Sequence, residues 1–180
     1  EGCLLQLTSI TQDLPAFAGR LSAAQFNWRE SPGRWSVGQC VEHLNITTER
    51  YLPVLSQQIA AARTRGLVSQ RLFTMGLLER AFFRMIEPPV KMRVKAPKAF
   101  VAPPDLPVEA TVSRWRALHE QLAACIGSAD GLDLGAIKVR SQFGPVSFTL
   151  GGTLSILLAH ERRHTWQARG VLNAAGFPRD

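Results

Sequence analysis

Cysteine is scarce: the 180 residues hold three, Cys3, Cys40 and Cys125. So odd and sparse a set argues against a disulfide framework, and thiols buried as small hydrophobes fit a reducing, cytoplasmic setting. Long apolar runs are missing too. A membrane-crossing helix needs ~20 consecutive apolar residues. The nearest stretch, Phe148 to Ala159, is broken by Gly151 and Gly152 and followed at once by His160, Glu161 and Arg162. No membrane partner is expected, and a removed secretory signal ahead of Glu1 is not needed. Histidine occurs only four times, so imidazole chemistry has few places to reside.

Apolar residues make up 46% and charged residues 19% of the chain, which supplies a sizeable core and excludes intrinsic disorder. The length suits one domain over residues 1–180. A net charge of +7 would suit anionic partners and weak, salt-sensitive contact with nucleic acid. The basic residues are scattered, however. Only Lys91, Arg93, Lys95 and Lys98 gather, with no aromatic among them before Phe100. That group reads as a solvated basic loop, and no specific nucleic-acid partner is expected.

Leu7, Ile10, Leu14, Phe17 and Leu21 recur at spacings of three and four, the stripe of an amphipathic helix. Pro15 requires that helix either to kink or to begin near Asp13 or Leu14. A turn follows at Ser31-Pro32-Gly33. Ser36 and Gln39 make a capping box with Trp35 in the staple position. The helix they open carries Val37, Cys40, Val41, Leu44, Tyr51 and Leu55 towards Arg65, with Gly66 as its stop and Pro53 as a kink. A shorter helix is expected over Leu72 to Ile86. Pro88, Pro89, Pro97, Pro103, Pro104 and Pro107 then forbid a long helix or a central strand and mark a long crossover. Helical spacing resumes from Val108 to Ile126. A loop with a short hairpin around Gly144-Pro145 fills Lys138 to Phe148. A last helix is expected from Thr153 towards Ala175. Four long helices with one long connection read as an all-α four-helix bundle with a proline-rich crossover.

His160 and His164 stand four apart on the last helix, so both imidazoles leave one face about a turn apart. Chelation of one metal ion by a helix needs that spacing. The string His160-Glu161-Arg162-Arg163-His164 also fits the zinc-protease pattern H-E-x-x-H. Such an enzyme needs a third ligand beyond the helix and a substrate-aligning sheet. No histidine follows His164, the sole later carboxylate side chain is Asp180, and nothing upstream promises a sheet. The protease reading is therefore set aside. His43, in the first turns of the Trp35-capped helix, is the better third ligand, because bundles build metal sites from facing helices. Three nitrogens leave a position open, whereas structural zinc sites are closed by four ligands. His119, beside Glu120, is expected on the surface or satisfied by a neighbour. Glu161 lies about 100° around the helix from His160 and should face away or form a salt bridge. Gln39 and Thr47 near His43, and Gln167 after His164, are the candidates to support the ligands.

Phe26-Asn27-Trp28-Arg29 and Ser31 through Leu44 resemble the first motif of the DinB-like (YfiT-like) metal-binding superfamily, and Ala159 through Ala168 resemble its second. Lys95 to Phe100, with Pro103 and Pro104 behind, resembles the crossover of one subfamily. The resemblance implies a four-helix bundle whose first and second helices run up and whose others return in an unusual order. It implies a divalent metal on one histidine of the second helix and two of the last, here His43, His160 and His164. Characterised relatives include transferases and isomerases that use bacillithiol, mycothiol or glutathione. The expected function is thus a metal-dependent transferase using a low-molecular-weight thiol and a small-molecule substrate. The alternatives are a non-catalytic small-ligand or metal-binding module, dimeric through an exposed helix face, and a metal-dependent hydrolase. Imidazole suits zinc or nickel first, with iron, copper or manganese as alternatives.

Overall fold

Ser36 begins the helix that carries His43. Its hydroxyl accepts from the Gln39 amide at 3.0 Å, and the Gln39 side-chain oxygen accepts from the Ser36 amide at 3.2 Å. Orphan donors at the helix start are thereby satisfied from both sides. The same Ser-x-x-Gln signature at Ser22 and Gln25 opens a short helix that the apolar spacing did not reveal.

The computed structural model describes residues 2–90 and 95–179. Lys91 and Arg93 of the basic group, with Glu1 and Asp180, lie outside the described residues; Lys95 and Lys98 are exposed. The helices are α1 (Gly2–Ala18), α2 (Ala23–Asn27), α3 (Val37–Thr64), α4 (Leu77–Ile86), α5 (Val108–Ser128) and α6 (Leu150–Leu172). Strands β1 (Lys138–Arg140) and β2 (Ser147–Thr149) pair antiparallel with Val139 opposite Phe148. These two residues are buried between more exposed neighbours. The chain is an all-α bundle with one token hairpin.

Proline does not delimit these helices. Pro15 lies within α1, which starts at Gly2 rather than near Asp13, and Pro53 lies within α3. Each removes one internal hydrogen bond, a loss outweighed by the apolar face on either side. In α1 that face is Leu7, Ile10, Leu14 and Ala18. Gly66 ends α3 at φ 66°, the left-handed conformation glycine adopts without strain.

The four long helices close a ring whose order is not that of the chain. α3 packs on α5 and α6, and α1 packs on the same two. Consecutive helices α1 and α3 therefore lie on one diagonal, and α5 and α6 on the other. Leu14, Leu44, Leu55, Trp115, Leu122, Leu154 and Leu158 meet in the core between them. Each buried leucine contributes about 1.5–3 kcal/mol relative to exposure.

α4 is shorter than the expected Leu72–Ile86, because the chain turns at Gly76 and Glu79 bonds back to it. Glu79 accepts from the Gly76 amide at 3.1 Å and from the Thr149 amide at 2.6 Å. Those amides outweigh its burial and hold its carboxyl below the usual range. The Thr149 hydroxyl accepts from the Gly152 amide, so α6 starts three residues before the expected Thr153. A Cβ on Gly152 would lie 2.5 Å from the Glu79 carboxyl carbon, so only glycine lets α4 lie this close to α6.

The crossover is fastened by side chains. Asn27 donates to the Leu106 carbonyl at 2.9 Å and accepts from its amide at 2.8 Å. Gln39 donates to the Ala102 carbonyl at 3.2 Å. Just ahead of these tethers a single 3-10 turn, Lys98–Phe100, packs against α3. No helix among the described residues is long and apolar enough to cross a membrane.

Candidate metal centre

α3 and α6 are neighbours in the ring, so His43 meets His160 and His164 although 117 residues separate His43 from His160. Among the described residues these three form the group that could hold a metal ion: one ligand atom from each, all within 4.8 Å of one another. His43 Nε2 stands 3.0 Å from His160 Nε2. The ring centroids lie 4.9 Å apart for His43 and His160, and 4.5 Å for each pair with His164. All three side chains are buried, with 2%, 9% and 6% of His43, His160 and His164 exposed.

The electrostatics keep these rings neutral. Burial lowers the affinity of His43 for a proton, and the nearby charge of Arg163 adds to this. His160 and His164 are held well below the usual histidine range, first by burial and then by neighbouring imidazoles and Arg163. Neutral imidazole is the form that ligates a metal.

His43 is oriented by the crossover. Its Nδ1 is 2.7 Å from the Phe100 carbonyl. Only a protonated Nδ1 can donate there, which leaves the Nε2 lone pair aimed at His160. His160 Nε2 faces it at 3.0 Å, a spacing bridged either by a hydrogen on His160 or by a shared cation. Two nitrogens bound tetrahedrally to one zinc ion stand about 3.3 Å apart, a few tenths of an ångström from the separation present. Nδ1 of His164 is buried with no hydrogen-bond partner. The donor set therefore fits a divalent ion.

Aromatic rings wall the group. Trp35 lies against His164 at 5.5 Å and 22°, and against His43 at 4.8 Å. It is partly buried, and it touches the histidines themselves as well as packing the entry to α3. Phe143, from the loop between the strands, lies 5.6 Å from His160 and 4.4 Å from Phe100. The Arg50 guanidinium sits 4.9 Å above the Phe100 ring.

The three supporting candidates are placed differently. Gln39 spends its side-chain hydrogen bonds on the cap and the crossover. Thr47 donates at 2.8 Å to the His43 backbone carbonyl, not to its ring. Gln167 is the one of the three whose side chain bears on a ring, acting weakly to favour the protonated form of His164. The contact that orients His43 is a backbone carbonyl, which no side-chain pattern announces. Its one trace in the sequence is the Lys95–Phe100 stretch itself.

His119 is not at the surface. Its side chain is fully buried on α5, with Nε2 3.1 Å from a Glu161 carboxylate oxygen and Nδ1 2.9 Å from the Trp115 carbonyl. Glu161 thus makes the salt bridge rather than facing away. Its other oxygen accepts from the Thr48 hydroxyl at 3.4 Å. Burial alone would lower the His119 pKa, but the Glu161 charge and hydrogen bond, with the Trp115 carbonyl, raise it above the usual value.

No curated protein and no solved structure gives a significant match to the chain. The sequence profile of the DinB superfamily matches residues 6–168. That span includes α3, most of α6 and all three histidines, and with it the ring of helices and the buried triad find their context: the chain belongs to the DinB superfamily.

Proposed function

We propose that His43, His160 and His164 hold one divalent ion, zinc or nickel first, and that the protein is a transferase acting with a low-molecular-weight thiol. The observation that carries the reading is the convergence of three buried histidines from two helices, one ligand atom from each within 4.8 Å of the others. An ion on three imidazoles has room for a further ligand, and a small thiol taken there loses its proton near neutral pH. The chain's own residues prepare the place. The Phe100 carbonyl fixes the His43 tautomer, while Trp35 and Phe143 keep bulk water from the rings. Arg163 brings positive charge beside the triad, which suits an anionic thiol. A cytoplasmic setting, where such thiols stay reduced, goes with this reading.

The near closure of the triad also favours a second reading, a non-catalytic module that binds metal or a small ligand. Metal analysis of untagged protein, followed by a panel of thiols and electrophiles presented to the metal-loaded form, separates the two. Thiol-dependent turnover that disappears in His160→Ala supports the transferase. Metal content without turnover across the panel supports the module, and equal metal in wild type and variant rejects both.

A further inference from the structure

We propose that Glu161 and His119 are positioning residues that set how tightly the triad holds its ion. The inference rests on the metal-binding reading of the triad.

Glu161 follows a candidate ligand in sequence but points elsewhere. Its carboxylate is buried, with one oxygen at 3.1 Å from His119 of α5 and the other at 3.4 Å from Thr48 of α3. α5 and α6 lie on a diagonal of the ring, without the direct packing that joins neighbours. The pair thus reaches through the core and ties α6 to the helix it does not otherwise touch closely.

His119 is itself fixed. Its ring stacks on Trp115 at 3.8 Å between centroids, and its two nitrogens face a carbonyl and a carboxylate. His119 Nε2 and the facing Glu161 oxygen approach to 3.1 Å with no other partner for either atom, a close buried contact that spans the core between α5 and α6. Removing either side chain leaves the other's polar atom buried with nothing opposite it.

Successive residues on a helix differ by 100° about its axis. Holding Glu161 against α5 and α3 therefore fixes the rotation of α6 at His160, and with it the face on which His164 follows. A ligand set whose spacing must be correct to a few tenths of an ångström is sensitive to that rotation. Glu161 acts here through the helix backbone. Its carboxylate is committed to His119 and Thr48 and is not the general base that H-E-x-x-H would require.

Cobalt(II) titration tests the proposal, because cobalt reports both affinity and ligand geometry through its visible absorption. Wild type, Glu161→Gln, His119→Gln and Arg63→Ala are compared, with urea midpoints of the metal-free proteins alongside. Arg63, which bonds the Ser128 and Asp130 carbonyls far along α3, is the control for stability lost elsewhere. The expected result is a tenfold or greater loss of cobalt affinity in both pair variants, with an altered spectrum, and neither change in Arg63→Ala. Should a single variant fail to fold, the double variant His119→Phe, Glu161→Leu fills the same space without charge and should show the same weakened binding. Folded pair variants with wild-type affinity and spectrum overturn the inference while leaving the triad intact. Wild type that takes up no cobalt overturns the metal reading and the inference with it.

Discussion

Trp35 lies almost parallel to His164, 22° between planes and 5.5 Å between centroids, one residue before the cap of the helix that carries His43. A single indole therefore touches a candidate ligand on each of two helices. Truncating it should loosen both contacts. Trp35→Ala is expected to cost about 3 kcal/mol, the lower end for a large aromatic because the ring is only partly buried. The urea midpoint measures this; an unchanged midpoint would show that the ring contributes nothing to the entry of α3.

Protons should act on the metal-free protein from two sides. The triad histidines have folded pKa values below their unfolded value of about 6.5, so the unfolded chain binds more protons. Their contribution is present above pH 6.5 and is lost as pH falls. His119 has the opposite sign: its raised pKa stabilises the fold below pH 6.5, and that share fades as pH rises through the raised value. Urea midpoints between pH 5 and pH 9 should therefore pass through a maximum. In His119→Gln the decline on the alkaline side attributable to this group should vanish, while the acid decline remains.

Removing metal should lower stability by mass action. Free ion at a hundred times its dissociation constant adds about 2.7 kcal/mol to a fold that alone can bind it. Thermal melts with zinc and with chelator are expected to differ in wild type and to coincide in His160→Ala. Coinciding wild-type melts would mean that no ion is held by the folded state.

The glycine pair opening α6 supplies a prediction remote from the triad. Gly152→Ala places a methyl 2.5 Å from a carboxyl carbon, and two backbone amides prevent Glu79 from yielding freely. A loss of about 1–3 kcal/mol is expected, read from the urea midpoint. A neutral substitution would show that α4 can shift away from α6 without cost.

Much of the fold was written in local signals. The Ser36–Gln39 box located the start of α3, the 3-4 spacing of Leu7, Ile10 and Leu14 located α1, and Gly144-Pro145 marked the hairpin turn. Pro15 left two starts open for α1, and tertiary burial of Leu14 and Ala18, which outweighs the one hydrogen bond it removes, decides for the helix that runs through it. The early start of α6 depends on Thr149 and on Glu79, 70 residues away, so the glycines at 151 and 152 looked like a break when they are the place where another element fits. The histidines that converge were legible because i, i+4 spacing is local and His43 lay in the first turns of a capped helix. His119 and Glu161 were not, because 42 positions separate them and neither carries a pattern that names the other. Nor could side-chain chemistry announce the Phe100 carbonyl that orients His43.

The diagonal arrangement of the helices also orders events in time. His43 precedes His160 by 117 residues, and the ring closes only when α6 packs against both α1 and α3. On a ribosome, chain emerging at about 5–20 residues per second leaves α3 without that neighbour for roughly 6–25 seconds. Throughout that interval His43 can meet an ion only as a single weak ligand. An ion held as proposed would load only after synthesis of α6, as the clasp that fastens distant stretches of one chain.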